Sequence, residues 1–416
     1  MLFAFSKKKR QEPSPQLSVS STSLSAAAGL INLKGEKPMP RHTLISTVGT
    51  SLLESNLRRL AEKDFPKPDN WEELYGAFQK ENWKAVASKL LELSPGDRVC
   101  GAEINTVEEI FKKGMNYIRS IFFLISDTPR GRQTGEVLRH YFLSRKDLKL
   151  DTVECHVIEK LQDENPKVFK THGLRNLVRT IGALVQRTGG PEFVNIDATG
   201  GYKAQIALAV IMGQSLGIPV FYKHERFNTI IDFPPLPVAF DYSVLGENAH
   251  ALSLFEKGEV LSSSDLGTID EKLKVFLYEA EEKEETLYEL SPLGQIYLTG
   301  YRLRYPTQVR LVPSPASEKK EPSFRDDHFP DGFKDFVFKV WKETPWITNA
   351  HSLPYDKQKS IKGNGFYVRE VNEDRALVGT YRDKNLFGAR FRLHLTDSSP
   401  DALTWAAEYL NREYGS

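Results

Sequence analysis

The sequence predicts a doubly wound, Rossmann-like α/β domain followed by a small α+β domain, and three observations carry that expectation. Strand-like apolar runs alternate with helical segments from His42 to about residue 240. Two of those runs end in glycine-bearing turns that open helices, GTS at 49–51 and ATGGYK at 198–203. From residue 330 the pattern becomes one helix, three runs with period-2 alternation and a closing helix.

In order, HTLISTV (42–48) reads as a buried strand, and helices follow near 51–63, 71–93 and 103–113. Trp71, Leu74, Phe78 and Trp83 recur at roughly helical spacing and are expected in the core. IRSIFFLIS (118–126) is nearly continuous in apolar residues, as a strand covered on both faces must be. A helix near 132–146, a strand near 151–158, a helix at 168–188, the strand and turn FVNIDATGG (193–201) and an apolar helix at 203–216 come next. IPVFYKH (218–224) and NTIIDF (228–233) read as a closing pair of strands, and PPLP (234–237) marks the end of the domain.

The expected divisions are a disordered tail at 1–38, the α/β domain at 40–240, a winged-helix-like linker at 241–310, a flexible linker at 311–330 and the last domain at 331–416. The 241–310 piece reads as helix, charged turn, short strand and helix. Its acidic run of Glu279, Glu281, Glu282, Glu284 and Glu285 would repel phosphates. VPSPASEKKEPSFRDD (312–327) is polar and rich in Pro and Ser.

With 416 residues and a formal net charge of +1, the molecule is no polycation, so any nucleic-acid surface must be a local patch. Two isolated cysteines, Cys100 and Cys155, suit a reducing compartment and are expected in the core. No CxxC or HExxH spacing is present, so no metal site is assigned. No apolar stretch approaches the roughly 18 residues of a membrane helix, and MLFAFSKKKR lacks the order of a secretory signal, so a cytoplasmic protein is expected. The KKKR run at 7–10 is read as part of a solvated tail.

Parallel-sheet loops at the carboxyl edge of the strands present free helix N-termini and their positive dipole ends. Gly49, Thr50 and Ser51 lie on one such loop, and Thr199, Gly200, Gly201 and Lys203 on another. SDTPRGRQTGE (126–136) adds a third, with Thr128 and Arg130. One glycine turn reads equally as a tight βα connection, but three polar loops at one edge point to a phosphate or nucleotide. Neither GxxxxGK[ST] nor GxGxxG is present, which disfavours an ATPase and a nicotinamide enzyme.

STVGTSLL (46–53), GAEINTV (101–107), SDTP with RGRQTGEVL (126–138) and above all DATGGYKAQIALA (197–209) resemble the CARF sensor domains of CRISPR-associated accessory proteins. The D-x-TGG-x-K pattern is the most specific part, and the likeness covers about residues 40–240. The resemblance implies a homodimer whose paired sheet edges hold a two-fold-symmetric cyclic oligoadenylate, with the cyclic tetra-adenylate as the expected activator and no other cofactor. It implies that Thr50, Ser51, Asn105, Thr128, Thr199, Gly200, Gly201 and Lys203 line the pocket. Some CARF domains slowly cleave their ligand, and Ser51 with Lys203 suits that metal-free chemistry.

In the last domain, FKDFVFKVWK (333–342) reads as a helix, followed by GFYVREV (365–371), RALVGTYRD (375–383) and ARFRLHLT (389–396) as strands. SSPDALTWAAEYLNREY (398–414) closes it as a helix with a serine cap and Pro400 at its first position. In ARFRLHLT, Arg390, Arg392 and His394 alternate with Phe391, Leu393 and Leu395, so one face is core and the other cationic. Residues 355–394 carry nine Lys/Arg against five Asp/Glu, with Tyr355, Tyr367 and Tyr381 interleaved, as an RNA platform would.

GFYVREVNEDRALVGTYRD has the shape of the central hairpin of RelE-family mRNA interferases, and the window 333–414 resembles that family in pattern at low identity. The resemblance implies cleavage of mRNA in the ribosomal A site by attack of the RNA's own 2′-OH, without a metal. Arg375, Arg390 and Arg392 are then the cationic stabilisers, Arg369 or Lys359 holds flanking phosphate, and His394 or Tyr381 exchanges protons. The spacing of a HEPN ribonuclease (R-x4-6-H) is absent after residue 330, as is the E-x-K of a PD-(D/E)xK nuclease. The rival reading is a transcriptional regulator whose winged helix binds DNA.

Overall fold

The computed structural model describes residues 40–416 apart from 116, 225–226, 228, 238–239, 267–268, 283–284, 305–310, 326–327 and 355–362. The tail at 1–38, with its KKKR run, and Tyr355, Lys357, Lys359 and Lys362 therefore lie outside the described residues.

The first domain is built on β1 (Thr43–Thr47), β2 (Ser120–Ser126), β3 (Thr152–Ile158), β4 (Val194–Asp197), β5 (Val220–Tyr222) and β6 (Ile231–Phe233), in the order β3-β2-β1-β4-β5-β6. The first five run parallel and β6 is antiparallel to β5. Successive residues of a strand point to opposite faces, so Leu44 enters one apolar core and Ile45 the other. Helices Trp83–Leu91, Gly101–Lys112 and Pro129–Ser144 cover the first face; Leu174–Arg187 and Lys203–Leu216 cover the second. Burial on both faces is why β2 is apolar from Ile121 to Ile125; β1 is equally buried but carries Thr43, Ser46 and Thr47 beside Leu44 and Ile45. The chain moves outward from β1 to β3, then returns to β4 on the other side of β1. The strand order therefore reverses between β1 and β4, where open α/β sheets form their ligand crevice.

The helix expected over 71–93 is two helices, Trp71–Gln79 and Trp83–Leu91. Glu81 takes a positive φ of 51°, and Asn82 restarts the chain by accepting from the Ala85 amide at 3.1 Å. Leu74 and Trp83 are buried as expected, whereas Trp71 and Phe78 pack at the margin of the core. Cys100 is buried; Cys155 is half-buried, with its thiol against the Gly135 carbonyl.

The middle segment holds helices Ser243–Glu247, Ala249–Glu256 and Pro292–Arg304 around β7 (Leu261–Ser262), β8 (Leu277–Glu282) and β9 (Glu285–Leu290), paired antiparallel in the order β7-β9-β8. Glu279, Glu281 and Glu282 stand exposed on the β8–β9 hairpin. Helix Pro292–Arg304 places Ile296 in the core of the first domain, and Arg179 donates to Gln295 at 2.8 Å. The segment is thus packed against the α/β domain.

The stretch after residue 310, expected as a flexible linker, lies along β10 (Ile347–Ser352) in its described part. The Lys320 amide donates to Thr348 (2.8 Å), Ser323 to Ala350 (2.9 Å) and Ser352 to Ser323 (3.0 Å). The outer backbone groups of an edge strand need partners, and the Pro/Ser-rich strap supplies them.

The last domain is an antiparallel sheet of β10, β11 (Gly365–Val371), β12 (Asp374–Arg382) and β13 (Gly388–Leu395), ordered β10-β13-β12-β11. Helices Phe333–Glu343 and Pro400–Tyr414 cover one face over Phe366, Leu377, Phe391 and Leu393. Ser399 caps the last helix and Pro400 is its first residue. The fourth strand, β10, was not legible because ITNAHS is mostly polar. β11 and helix Pro400–Tyr414 rest on helices Ser243–Glu247 and Ala249–Glu256. No helix among the described residues is long and apolar enough to cross a membrane.

Candidate functional site

The loops after β1 and β4 touch. A Cβ on Gly49 would stand 2.9 Å from the Gly201 amide nitrogen, closer than side-chain atoms tolerate. Thr47 donates from its hydroxyl to the Gly200 carbonyl at 2.6 Å, and Ser46 donates to Asp197 Oδ2 at 2.7 Å. Asp197 Oδ1 accepts from both the amide and the hydroxyl of Thr199, at 3.1 and 2.6 Å. Gly201 has φ +101°, a conformation only glycine adopts without strain, and it releases the chain into helix Lys203–Leu216.

Glu103 lies beneath this contact. Its side chain is fully buried, Oε1 accepts the Gly49 amide at 2.8 Å, and Oε2 has no hydrogen-bond partner among the described residues. Burial raises the Glu103 carboxyl above the ordinary range, with the Gly49 bond opposing. Burial likewise pushes Asp197 up to about 7, against the hydrogen bonds from Thr199 and Ser46 and helped by the nearby Glu103 charge. Two raised carboxyls thus underlie one rim.

The hydroxyls of Thr50 and Ser51 make no hydrogen bond among the described residues, and Lys203 is exposed without an ion pair among them. Thr199 and Thr128 differ. The Thr199 hydroxyl also accepts the Lys223 amide at 3.0 Å, and Thr128 caps helix Pro129–Ser144 by accepting from Gly131 at 2.9 Å. Both hydroxyls are held in loop structure. Arg130 reaches from the third loop to Glu54 at 2.6 Å, which ties that loop to the helical stretch after Ser51. The Asn105 amide is spent on the carbonyls of Pro95 and Asp97, at 2.5 and 3.0 Å. From that helix it is Glu103 that reaches the rim. An acid on the apolar stripe of Cys100, Ile104, Val107 and Ile110 was the signal in the sequence that marked it.

In the last domain, strand register decides which candidates share a face. Arg369 pairs with Ala376, Val378 with Arg392, and Thr380 with Arg390, so Arg369, Arg390, Arg392 and His394 lie on the face away from the helices. Arg375 and Tyr381 are corrected by this register. Arg375 falls on the helix-side parity and pairs with Glu247 at 2.5 Å. Tyr381 packs against Phe333 and Phe336, and its hydroxyl donates to the Asp331 carbonyl at 2.8 Å. Neither adds to the cationic face. Lys359 lies outside the described residues.

His351 on β10, which the sequence reading missed, stands beside His394. Their Nδ1 and Nε2 atoms are 3.1 Å apart and their ring centroids 5.0 Å apart. Burial lowers both imidazoles below the ordinary histidine range. His394 and Arg392 add to the effect on His351, and Arg392 to that on His394. Arg392 is itself 3.8 Å from Asp374.

Residues 98–236 match the model of a family described as CRISPR-associated protein (Cas_APE2256). Over this stretch the chain is similar to CRISPR-associated proteins. No curated protein matches the chain. The matched stretch contains Glu103, the third loop and the Asp197–Lys203 turn, and it ends before the middle segment.

One consequence of the rim can be measured as pH dependence. A carboxyl raised in the folded state stabilises the fold fully below about pH 4 and loses that contribution as pH rises through about 7. Between those values Asp197 should add a downward slope of about 1.4 kcal/mol per pH unit to the unfolding free energy. Denaturant unfolding of Asp197→Asn across this range should lack that slope; an unchanged slope would show that Asp197 titrates normally.

Proposed function

We propose that this protein is a cyclic-oligoadenylate-activated endoribonuclease of type III CRISPR antiviral defence. In this reading a CARF-like domain senses the ligand, with cyclic tetra-adenylate the expected activator. The middle segment passes the change on, and the last domain, RelE-like, cuts mRNA, on the ribosome or free. The observation that carries the reading is the contact of the Gly49 and Gly201 loops at the point where strand order reverses. There main-chain amides, the unengaged hydroxyls of Thr50 and Ser51, and Lys203 gather at one edge. The similarity to CRISPR-associated proteins over the same domain supports it.

A homodimer fits the helix that leaves this rim. Lys203–Leu216 is apolar nearly all round, yet Ala207 and Ile211 are exposed, and an apolar helix face wants cover. A groove of about 290 Å³ lined by Ala204, Ala207, Val275, Tyr278 and Leu293 continues that face. Ser51 with Lys203 would also allow slow cleavage of the bound ring by its own 2′-OH.

The chemistry on RNA follows from the residue types on the cationic face. Arg390 and Arg392 would stabilise the phosphorane, Arg369 would hold flanking phosphate, and His394 would move protons. The switch must come from the ligand's differential affinity for two arrangements of the chain.

The test is cleavage of free and ribosome-bound RNA by the purified full chain, with and without cyclic tetra-adenylate, in EDTA. Ligand-dependent cutting is expected, with Arg392→Ala reducing the rate by about 10²–10³-fold without weakening ligand binding. Failure to cut either RNA, together with tight binding of duplex DNA, would instead establish the transcriptional regulator.

A further inference from the structure

The nuclease reading assigns its proton transfers to single residues, and the structure offers a pair. We propose that His351 and His394 act together as one bifunctional acid–base device on the RNA backbone, so that His351 is a catalytic residue in its own right. The inference rests on the ribonuclease reading given above.

The geometry makes the argument. His351 comes from β10 and His394 from β13, neighbouring strands whose register sets Asn349 opposite His394 and His351 opposite Arg392. The Nδ1 of His351 and the Nε2 of His394 stand 3.1 Å apart, a hydrogen-bond distance. Two neutral imidazoles joined in this way share one N–H between the facing nitrogens. The two outward nitrogens must then differ. If His394 donates from Nε2, its Nδ1 carries a lone pair and is a base, while His351 Nε2 carries a proton and is an acid. The opposite tautomer reverses the roles. In either state the pair presents one base and one acid at the same time.

Cleavage by 2′-OH attack requires that combination. The base nitrogen of His394 takes the 2′-OH proton as the O2′–P bond forms. The proton between the rings moves from His394 Nε2 to His351 Nδ1. His351 Nε2 gives its proton to the 5′-oxygen as the P–O5′ bond breaks. The products are a 2′,3′-cyclic phosphate and a 5′-hydroxyl, and the pair is left neutral in its other tautomer. No oxidant, reductant or further reactant is consumed.

The surroundings suit this task. Both rings are half-buried, which favours their neutral forms at neutral pH. Among the described residues, Arg392 on β13 and Arg325 on the strap beside β10 act on the pair, and Asp374 lies 3.8 Å from Arg392. The strap is fixed at this point, since the Arg325 amide donates to the Ser352 hydroxyl at 3.0 Å. The arginines disfavour a second positive charge on the rings and attract a phosphate to them.

The experiment uses the full chain, activated with cyclic tetra-adenylate, under single-turnover conditions on an RNA the wild type cuts. His351→Ala and His394→Ala are each expected to slow cleavage by about 10²–10⁴-fold, with the double variant no slower than about the worse single one. Added imidazole should restore part of the His351→Ala rate. His351→Asn, which keeps a polar side chain on the strand, should unfold like wild type and remain slow. The wild-type pH–rate profile should keep its activity down to a pH below the ordinary histidine value of about 6.5. A wild type that cuts RNA, with His351→Ala or His351→Asn cutting at the same rate, overturns the pair and leaves the nuclease reading standing. A wild type that cuts no RNA in any state overturns both.

Discussion

Replacing Gly200 with alanine should cost the first domain about 1–3 kcal/mol, the usual range for forcing extra atoms into a packed site, and, in the proposed sensor reading, should abolish binding of cyclic tetra-adenylate at the rim. A Cβ at this position would stand 2.8 Å from the Thr47 carbonyl oxygen and 2.9 Å from the Gly49 amide nitrogen, and closer still to Glu103 Oε1. The first two are backbone atoms of a buried parallel strand and its turn, which cannot swing aside as a surface side chain can. The third belongs to a fully buried carboxyl already bonded to Gly49. The two loops must therefore separate, and with them the arrangement of Thr50, Ser51 and Lys203. Denaturant unfolding measures the first effect and calorimetric titration with cyclic tetra-adenylate the second. Full stability and unchanged affinity in Gly200→Ala would show that the loops are not held in contact.

A second large effect is expected at the junction between the middle segment and the last domain. Arg302, on helix Pro292–Arg304, bonds Glu256 at 2.5 and 2.7 Å and Glu408 at 2.6 Å, so one guanidinium joins helix Ala249–Glu256 to helix Pro400–Tyr414. All three side chains line a cavity of about 300 Å³ with Leu252, Lys257 and Asn411. Removing the cation leaves two carboxylates, 24% and 10% exposed, without the guanidinium that bonds them both. Breaking a buried pair in this way costs about 3–5 kcal/mol; Arg302 is 33% exposed, and solvent reduces the figure to roughly 2–3 kcal/mol. Arg302→Ala should loosen the last domain from the middle segment. In the nuclease reading it should also uncouple cleavage from ligand while leaving ligand affinity unchanged. Limited proteolysis and ligand-dependent cleavage assays read the two effects separately. Wild-type proteolysis with intact ligand dependence would remove Arg302 from the coupling. Arg375 with Glu247 forms a second bridge across the same junction, and its loss should act in the same direction with smaller effect because both partners are more exposed.

Much of the rim was legible in advance because its signals are local. Glycines at 49, 200 and 201 mark turns that end apolar runs, and the helices that follow start where the turns predict. Local signals could not say which hydroxyls remained available. Thr199 and Thr50 look alike in sequence, but Thr199 is held by Asp197 and Lys223, one of them 24 residues away. Asn105 was drawn from the same motif as Glu103, and the packing of its helix turned the acid to the rim and the amide to the Pro95 and Asp97 carbonyls.

The last domain divides in the same way. β13 alternates strictly, so its cationic face could be read residue by residue. β12 does not: Ala376, Leu377 and Val378 are all buried, and an apolar run on both faces gives no parity. Arg375 and Tyr381 were therefore grouped with Arg390, Arg392 and His394, and the register with β13 separated them. β10 and the His351–His394 contact were invisible, because ITNAHS carries no strand pattern and its partner lies 43 residues away. By itself the sequence determined most elements of the first domain, their order and the rim glycines, because periodicity and backbone freedom are properties of neighbouring residues. Tertiary structure alone decided which polar groups meet, because ion pairs, register and shared faces depend on distances between residues far apart in the chain.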